Sequence, residues 1–267
     1  MWIDSHCHLN HGNIQQAGTP AELVAALADH DVDACLTVSC TISKEYKELL
    51  NIAEAFPNVW ASVGTHPHDA GLAEEMAYDT GDLIKLAEPA KIVAIGETGL
   101  DYYYDNSPRE AQKESFRKHI RACLAADLPV IIHTRDAEED TIQILKEEGQ
   151  GRLNGVFHCF SGSSWLADQA LNMGFYISFS GILTFPKALE LKEIATRAPL
   201  ERLLVETDSP YLAPVPLRGR VNTPSNVKLT GSYLSKLKVM DEETVAHVTS
   251  ENFYKLFTKA QKPSKTA

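Results

Sequence analysis

His6, His8, Glu97, His133, His158 and Asp208 are nitrogen and oxygen donors with no thiolate among them, and each stands at or near the end of a short apolar run. A set of this kind can hold two divalent cations about 3.5 to 4 Å apart, acidify a water, polarise a phosphoryl or carbonyl oxygen and steady the leaving oxygen. Imidazole suits Zn, Mn, Fe or Co, while the carboxylates also admit Mg, so Mg, Mn and Zn all stay open.

Each donor has an ordinary alternative. The imidazoles of His6-Cys7-His8 are two residues apart, which on a strand puts both on one face within reach of one metal; alone, such a pair is equally compatible with a structural role. Glu97 follows Val93-Ala94-Ile95-Gly96, and a glutamate there is costly to bury unless a cation compensates it. Gly96 and Gly99 leave room for backbone or ligand to approach closely. Asp101 reads as structural or supporting. A histidine after an apolar strand is ordinarily a satisfied core residue, but His133 and His158 end consecutive runs. Asp208 is the candidate final ligand and the acceptor of a proton from water, with Glu97 as its catalytic companion. Glu206 and Asp208 share a face by the period of two, and Glu206 either orients a ligand histidine or forms a salt bridge inside the fold. His66, in Gly64-Thr65-His66-Pro67-His68, is placed to hydrogen-bond a phosphate oxygen or a water; otherwise it belongs to a polar turn. His11 falls in a loop, and His30, His119 and His247 in helix-like stretches, exposed or half-buried.

Short apolar runs position these residues: Trp2 to Leu9, Ala34 to Cys40, Val59 to Thr65, Ile92 to Gly96, Pro129 to His133, Gly155 to Phe160, Phe175 to Ser180 and Leu203 to Asp208. Nearly continuous apolar character is how strands buried on both faces of a parallel sheet read. Between them lie amphipathic stretches, among them Thr19-Pro20-Ala21-Glu22 as a helix start, Ala111 to Ala126, and Leu189 to Ala198. Strand and helix alternating over roughly 250 residues predict one (β/α)8 barrel of the TIM type, residues 1–258, whose active face is the C-terminal ends of the strands. An open doubly wound sheet calls instead for a GxGxxG turn after the first strand, and none is present. Residues 259–267 are polar and basic and read as a frayed tail.

The net charge of −11 argues against a broad basic surface for nucleic acid, so DNA or another phosphodiester would have to bind locally, where metal cations supply the positive charge. Cys7, Cys35 and Cys159 sit in or beside strand-like runs and Cys123 in a helix-like one. Five irregularly spaced cysteines fit a reducing cytoplasm better than a disulfide framework. No apolar run reaches membrane-spanning length and no secretory signal is visible, so no membrane association is expected; a monomer is the default.

Taken together, Asp4-Ser5-His6-Cys7-His8, Gly64-Thr65-His66-Pro67-His68, Gly96-Glu97-Thr98-Gly99-Leu100-Asp101, His158-Cys159-Phe160-Ser161-Gly162 and Glu206-Thr207-Asp208-Ser209-Pro210 resemble the TatD family of metal-dependent hydrolases, within the amidohydrolase superfamily. The resemblance runs from Asp4 to about Phe257, where Asn252-Phe253 and Leu256-Phe257 look like the family's closing helix. It implies a TIM-type barrel with His6 and His8 on a first metal, Glu97 bridging, His133 and His158 on a second, and Asp208 as last ligand and base. Family members are described as deoxyribonucleases with 3′→5′ exonuclease activity on single strands and, in some, endonuclease activity. Where the family often reads Arg-Gly-Lys-Arg-Asn-Glu-Pro, this chain has Arg218-Gly219-Arg220-Val221-Asn222-Thr223-Pro224. The match is therefore partial at the expected mouth, with Arg218 and Arg220 left as candidate phosphate contacts. Tyr102, Tyr103 and Tyr104 can stack on a base or pack under a loop.

Two rival functions share the same metal site. One is hydrolysis of carboxylic esters or amides such as D-aminoacyl-tRNA; the other is a metal-binding barrel without catalysis. A phosphate cradle around the metals favours the nuclease, and an amine-binding carboxylate favours the first rival. The polymerase-and-histidinol-phosphatase type also opens with a His-x-His pair, but its later motifs differ.

Overall fold

The computed structural model describes residues 1–262. Its strands are β1 (Trp2–Cys7), β2 (Val32–Thr37), β3 (Val59–Val63), β4 (Ile92–Asp101), β5 (Val130–Arg135), β6 (Gly155–Phe157), β7 (Tyr176–Phe179) and β8 (Leu203–Val205). All pair in parallel and in chain order. Beyond the last strand, Cys7 bridges to Ser209, the Asp208 N–H donates to the His6 carbonyl at 2.9 Å and the His8 N–H to the Ser209 carbonyl at 2.8 Å, which brings β1 back to β8. The result is a nearly closed single-domain barrel of the TIM type, with α-helices between the strands, as the alternating pattern predicts.

The strands are buried almost throughout because both faces are covered. Their outward side chains pack on helices such as α1 (Pro20–Ala25), α2 (Ile42–Ala55), α3 (Arg109–Ala126) and α4 (Glu138–Gly149), and α1 starts on the Thr19–Glu22 capping box. Inward side chains, including Ile3, Leu36, Trp60, Val93, Ile131 and Leu204, form a separate apolar cluster with Phe253, Leu256 and Phe257 of α5 (Glu242–Leu256) and its end. The Phe253 ring lies 5.7 Å from that of Trp60. The Asn252 amide, buried in the same helix, donates to the carbonyls of Leu200 and Leu203 at 2.8 and 2.9 Å. This helix plugs one end of the barrel with apolar side chains, and the polar donors gather at the other.

Strand ends depart from the sequence expectation where the site is built. β4 runs on to Asp101, pairing Gly99 with His133 and Asp101 with Arg135. A Cβ on Gly99, at φ +140°, would fall 2.0 Å from the His133 carbonyl oxygen, and one on Gly96 2.6 Å from that of Ile131, so glycine is what lets β4 lie against β5. β8 stops early because Thr207 gives its N–H, and also its hydroxyl, to the buried Asp4 side-chain carboxylate instead of pairing that N–H with a backbone carbonyl of a neighbouring strand. Asp208 then takes a left-handed φ of 54°, so strand periodicity does not set its direction. At the C-terminal end, where the sequence predicts fraying from Lys259, the Lys259 ammonium donates to the carbonyls of Ala87 and Pro89 at 2.8 Å and Ala260 is buried. Packing thus continues past residue 258, and residues 263–267 lie outside the described residues.

Candidate metal centre

Glu97 is the hub. Its side chain enters from β4, is nearly inaccessible, and turns its two oxygens to two groups of imidazoles. Oε2 lies 3.4 Å from His6 Nε2. Oε1 lies 2.7 Å from His158 Nε2, 3.0 Å from His133 Nδ1 and 3.4 Å from His66 Nε2. Asp208 completes the first group, with Oδ1 3.4 Å from His8 Nε2 and 3.9 Å from His6 Nε2. The structure brings all six candidate donors together. His6 lies deepest, and the other five line a cavity of about 750 Å³ at the C-terminal ends of the strands.

The donor atoms fit divalent cations. His6, His8 and Glu97 offer one atom each within 4.8 Å of one another, as do His66, Glu97 and His133. Both ring nitrogens of His6 are buried without a hydrogen-bond partner, a cost of about 1–3 kcal/mol for each such group; coordination through Nε2, which faces Glu97 and Asp208, would remove it at that nitrogen. His66, expected from sequence to face substrate, stands within this second group and also lines the cavity.

Protonation tells the same story. Burial opposes the Glu97 anion, but the charge of His158 and the hydrogen bond with His133 hold its carboxyl well below the usual range. Asp208 is likewise held down against burial, by its bond with His8 and the charge of His6. Burial lowers His158 less than Glu97 and Glu206 raise it, so its pKa ends well above normal, whereas burial takes His66 well below. Protons on imidazole are thus balancing buried carboxylates, the balance that divalent cations would provide.

Three partners aim the rings. His8 Nδ1 meets the Val38 carbonyl at 3.1 Å, His158 Nδ1 meets Glu206 Oε1 at 3.2 Å, and His133 Nε2 meets Asp101 Oδ2 at 3.0 Å. In each case the other nitrogen faces the centre. Of the two readings open for Glu206, orientation fits: Oε1 also accepts the Cys159 N–H at 2.7 Å. Of the structural and supporting readings open for Asp101, support fits: Glu97 and Asp101 are four residues apart on a strand longer than expected, and both reach the His133 ring. Asp101 also takes His68 Nε2 at 3.0 Å. Burial opposes its ionisation, but His133 and His68 hold it well below the usual carboxylate range.

Other expectations need correction. Arg220 is exposed and is not among the residues lining the cavity. Its loop folds on itself through the Leu217–Pro214 and Arg220–Leu217 backbone bonds, and Arg218 lies over the Phe185 ring at 4.1 Å. Among the described residues, Arg135 is the one arginine or lysine of the lining; a position two after His133 on a strand was the available signal. His119 is buried, not half-exposed: its Nε2 accepts the Thr65 N–H at 3.0 Å and its Nδ1 donates to the Ser115 carbonyl at 2.8 Å, which fixes the chain beside His66. Of the three tyrosines, Tyr102 packs structurally, with its hydroxyl on Asp140 at 2.6 Å and Arg109 over its ring, while Tyr103 and Tyr104 are more than half exposed.

Comparison with known proteins agrees with this architecture. Residues 3–258 match the family model described as TatD related DNase. The uncharacterized metal-dependent hydrolase YcfH of Escherichia coli K12 is 44% identical over 256 residues, 96% of this chain and 95% of YcfH. The 3′-5′ ssDNA/RNA exonuclease TatD of Citrobacter rodentium is 32% identical over 219 residues, 80% of this chain and 82% of that protein. The crystal structure of YJJV, a TatD homologue from Escherichia coli K12, superposes with a TM-score of 0.86 at 27% identity, over 96% of this chain and 98% of that one. With its imidazole and carboxylate clusters at the mouth of the barrel, the chain belongs to the TatD-related DNase family of metal-dependent hydrolases.

Proposed function

We propose that this protein is a deoxyribonuclease that shortens single-stranded DNA from its 3′ end by hydrolysing phosphodiester bonds. The observation that carries the reading is Glu97 standing between two donor groups, one on each carboxylate oxygen. When bound there, two divalent ions supply Lewis acidity toward water and the phosphoryl oxygens. His6, His8 and Asp208 would hold one ion, His133 and His158 the other, with Glu97 shared. Asp208 is more open than Glu97 and lines the cavity, so its carboxylate takes the proton of the attacking water. His66, kept neutral by burial, meets a phosphate oxygen with its ring N–H.

The carbonyl-centred rival needs a carboxylate free to bind an amine. The two rim candidates each have one oxygen committed to the fold: Glu45 Oε2 accepts the N–H groups of Cys40 and Thr41 at 2.8 and 3.1 Å, and Asp69 Oδ2 accepts the Thr41 hydroxyl at 3.0 Å. The cation of the lining, Arg135, suits a phosphate. The Citrobacter relative, named a 3′-5′ ssDNA/RNA exonuclease, points the same way. The free cysteines support action in a reducing cytoplasm.

The test is hydrolysis by protein reconstituted separately with Mg, Mn and Zn, offered end-labelled single-stranded DNA and a D-aminoacyl-tRNA, with Glu97→Ala as control. Metal-dependent shortening from the 3′ end that is lost in the variant is the expected result. Intact DNA with rapid deacylation would move the substrate to a carbonyl centre.

A further inference from the structure

Two exposed aromatic rings beside a hydrolytic centre need a reason, because water-exposed tyrosine faces are surface the fold could have covered. Tyr103 is 57% and Tyr104 53% exposed, and their rings meet edge to face at 4.9 Å. The Arg135 guanidinium lies 3.8 Å from the Tyr103 ring centre and 4.8 Å from that of Tyr104. Tyr104 and Arg135 both line the cavity that holds Glu97, His133 and Asp208. The placement is fixed through one side chain: Asp101 accepts the N–H groups of Tyr103 and Tyr104 on Oδ1, at 3.1 and 2.9 Å, and His133 on Oδ2 at 3.0 Å. His68, on the same Oδ2, packs its ring edge-on to Tyr104 at 5.2 Å. The tyrosine turn and the donor ring are therefore held in register.

We propose that Tyr104 and Arg135, backed by Tyr103, form a stacking subsite for the nucleobase of a nucleotide flanking the cleaved phosphodiester; the proposal rests on the phosphodiesterase reading. Bases stack on aromatic and guanidinium planes without regard to sequence, since every base has a π-face. Arg135 can serve both the base and the adjacent phosphate. In a chain of net charge −11, a wide electrostatic footprint is not there to supply affinity, so a contact of this local kind must contribute much of it.

The test measures binding, separately from turnover. Asp208→Asn protein, shown by elemental analysis to carry the same metal content as wild type, is titrated with fluorescent single-stranded DNA carrying normal nucleotides at its 3′ end, and with the same strand carrying tetrahydrofuran abasic residues there. The subsite predicts that the abasic strand binds about tenfold more weakly. Adding Tyr104→Ala should bring the two strands to the same Kd, while Tyr104→Phe should keep the difference because the ring is retained. Equal Kd values on the starting protein, or a Tyr104→Ala effect of the same size on both strands, overturn the subsite. Cleavage of the normal strand by the wild-type protein in the same buffer judges the phosphodiesterase reading independently: discrimination without cleavage supports the subsite and removes that reading.

Discussion

His133 is held between two carboxylates, its Nε2 3.0 Å from Asp101 Oδ2 and its Nδ1 3.0 Å from Glu97 Oε1. Ionised Asp101 makes Nε2 the donor, which leaves Nδ1 as the nitrogen presented to the centre. Asp101→Asn removes the charge while keeping the size. Partners of this kind tune affinity about 10- to 100-fold, so metal affinity should fall by that factor for one ion and stay nearly unchanged for the other. Chelator competition with Mn or Zn resolves the two steps; equal weakening of both, or of neither, contradicts the assignment.

His119 supplies a pH signature away from the metal ligands. Burial takes its pKa down to about 4, against about 6.5 in an unfolded chain. Between those values the unfolded state takes up a proton that the folded state refuses, since Nε2 must stay bare to accept from Thr65. The stability involved is fully present above about pH 6.5, declines as pH falls, and is exhausted near pH 4. Taking wild type and His119→Gln from pH 7.5 to pH 5, urea unfolding should show wild type losing about 2 kcal/mol more than the variant. Comparing the two proteins cancels titration of the metal site. Parallel losses would show that His119 is not the titrating group.

The barrel was legible because buried parallel strands announce themselves as apolar runs, and the six donors because they end those runs. What stayed hidden depends on contacts across the chain. Asp4 diverts Thr207 from the sheet, which no local pattern reveals, so β8 ends at Val205 and not at Asp208. His119 sits on an outer helix, and only the approach of the Thr65 N–H from the end of β3 makes it part of the site's support. Arg220 lies in a loop whose sequence departs from the family pattern, and its folding on itself is a property of the loop as a whole.

Arg135 and Arg220 now carry opposite expectations. Arg135 lines the cavity and Arg220 is exposed outside its lining. A charged hydrogen bond to phosphate is worth about 1.5–3 kcal/mol. Arg135→Ala should therefore raise the KM for single-stranded DNA about tenfold or more, with a smaller change in kcat, while Arg220→Ala should leave KM within about twofold. Reversed effects would mean that the loop after β8 folds over the mouth when substrate binds.

Glu97 stands between two groups of donors, and its carboxylate is what would join two cation sites. Metal content after saturation with Mn and gel filtration, measured by elemental mass spectrometry on wild type and Glu97→Gln, addresses this directly. The geometry predicts two ions per wild-type chain and loss of at least one in the variant. A single ion in wild type, or two retained without the Glu97 carboxylate, would contradict it.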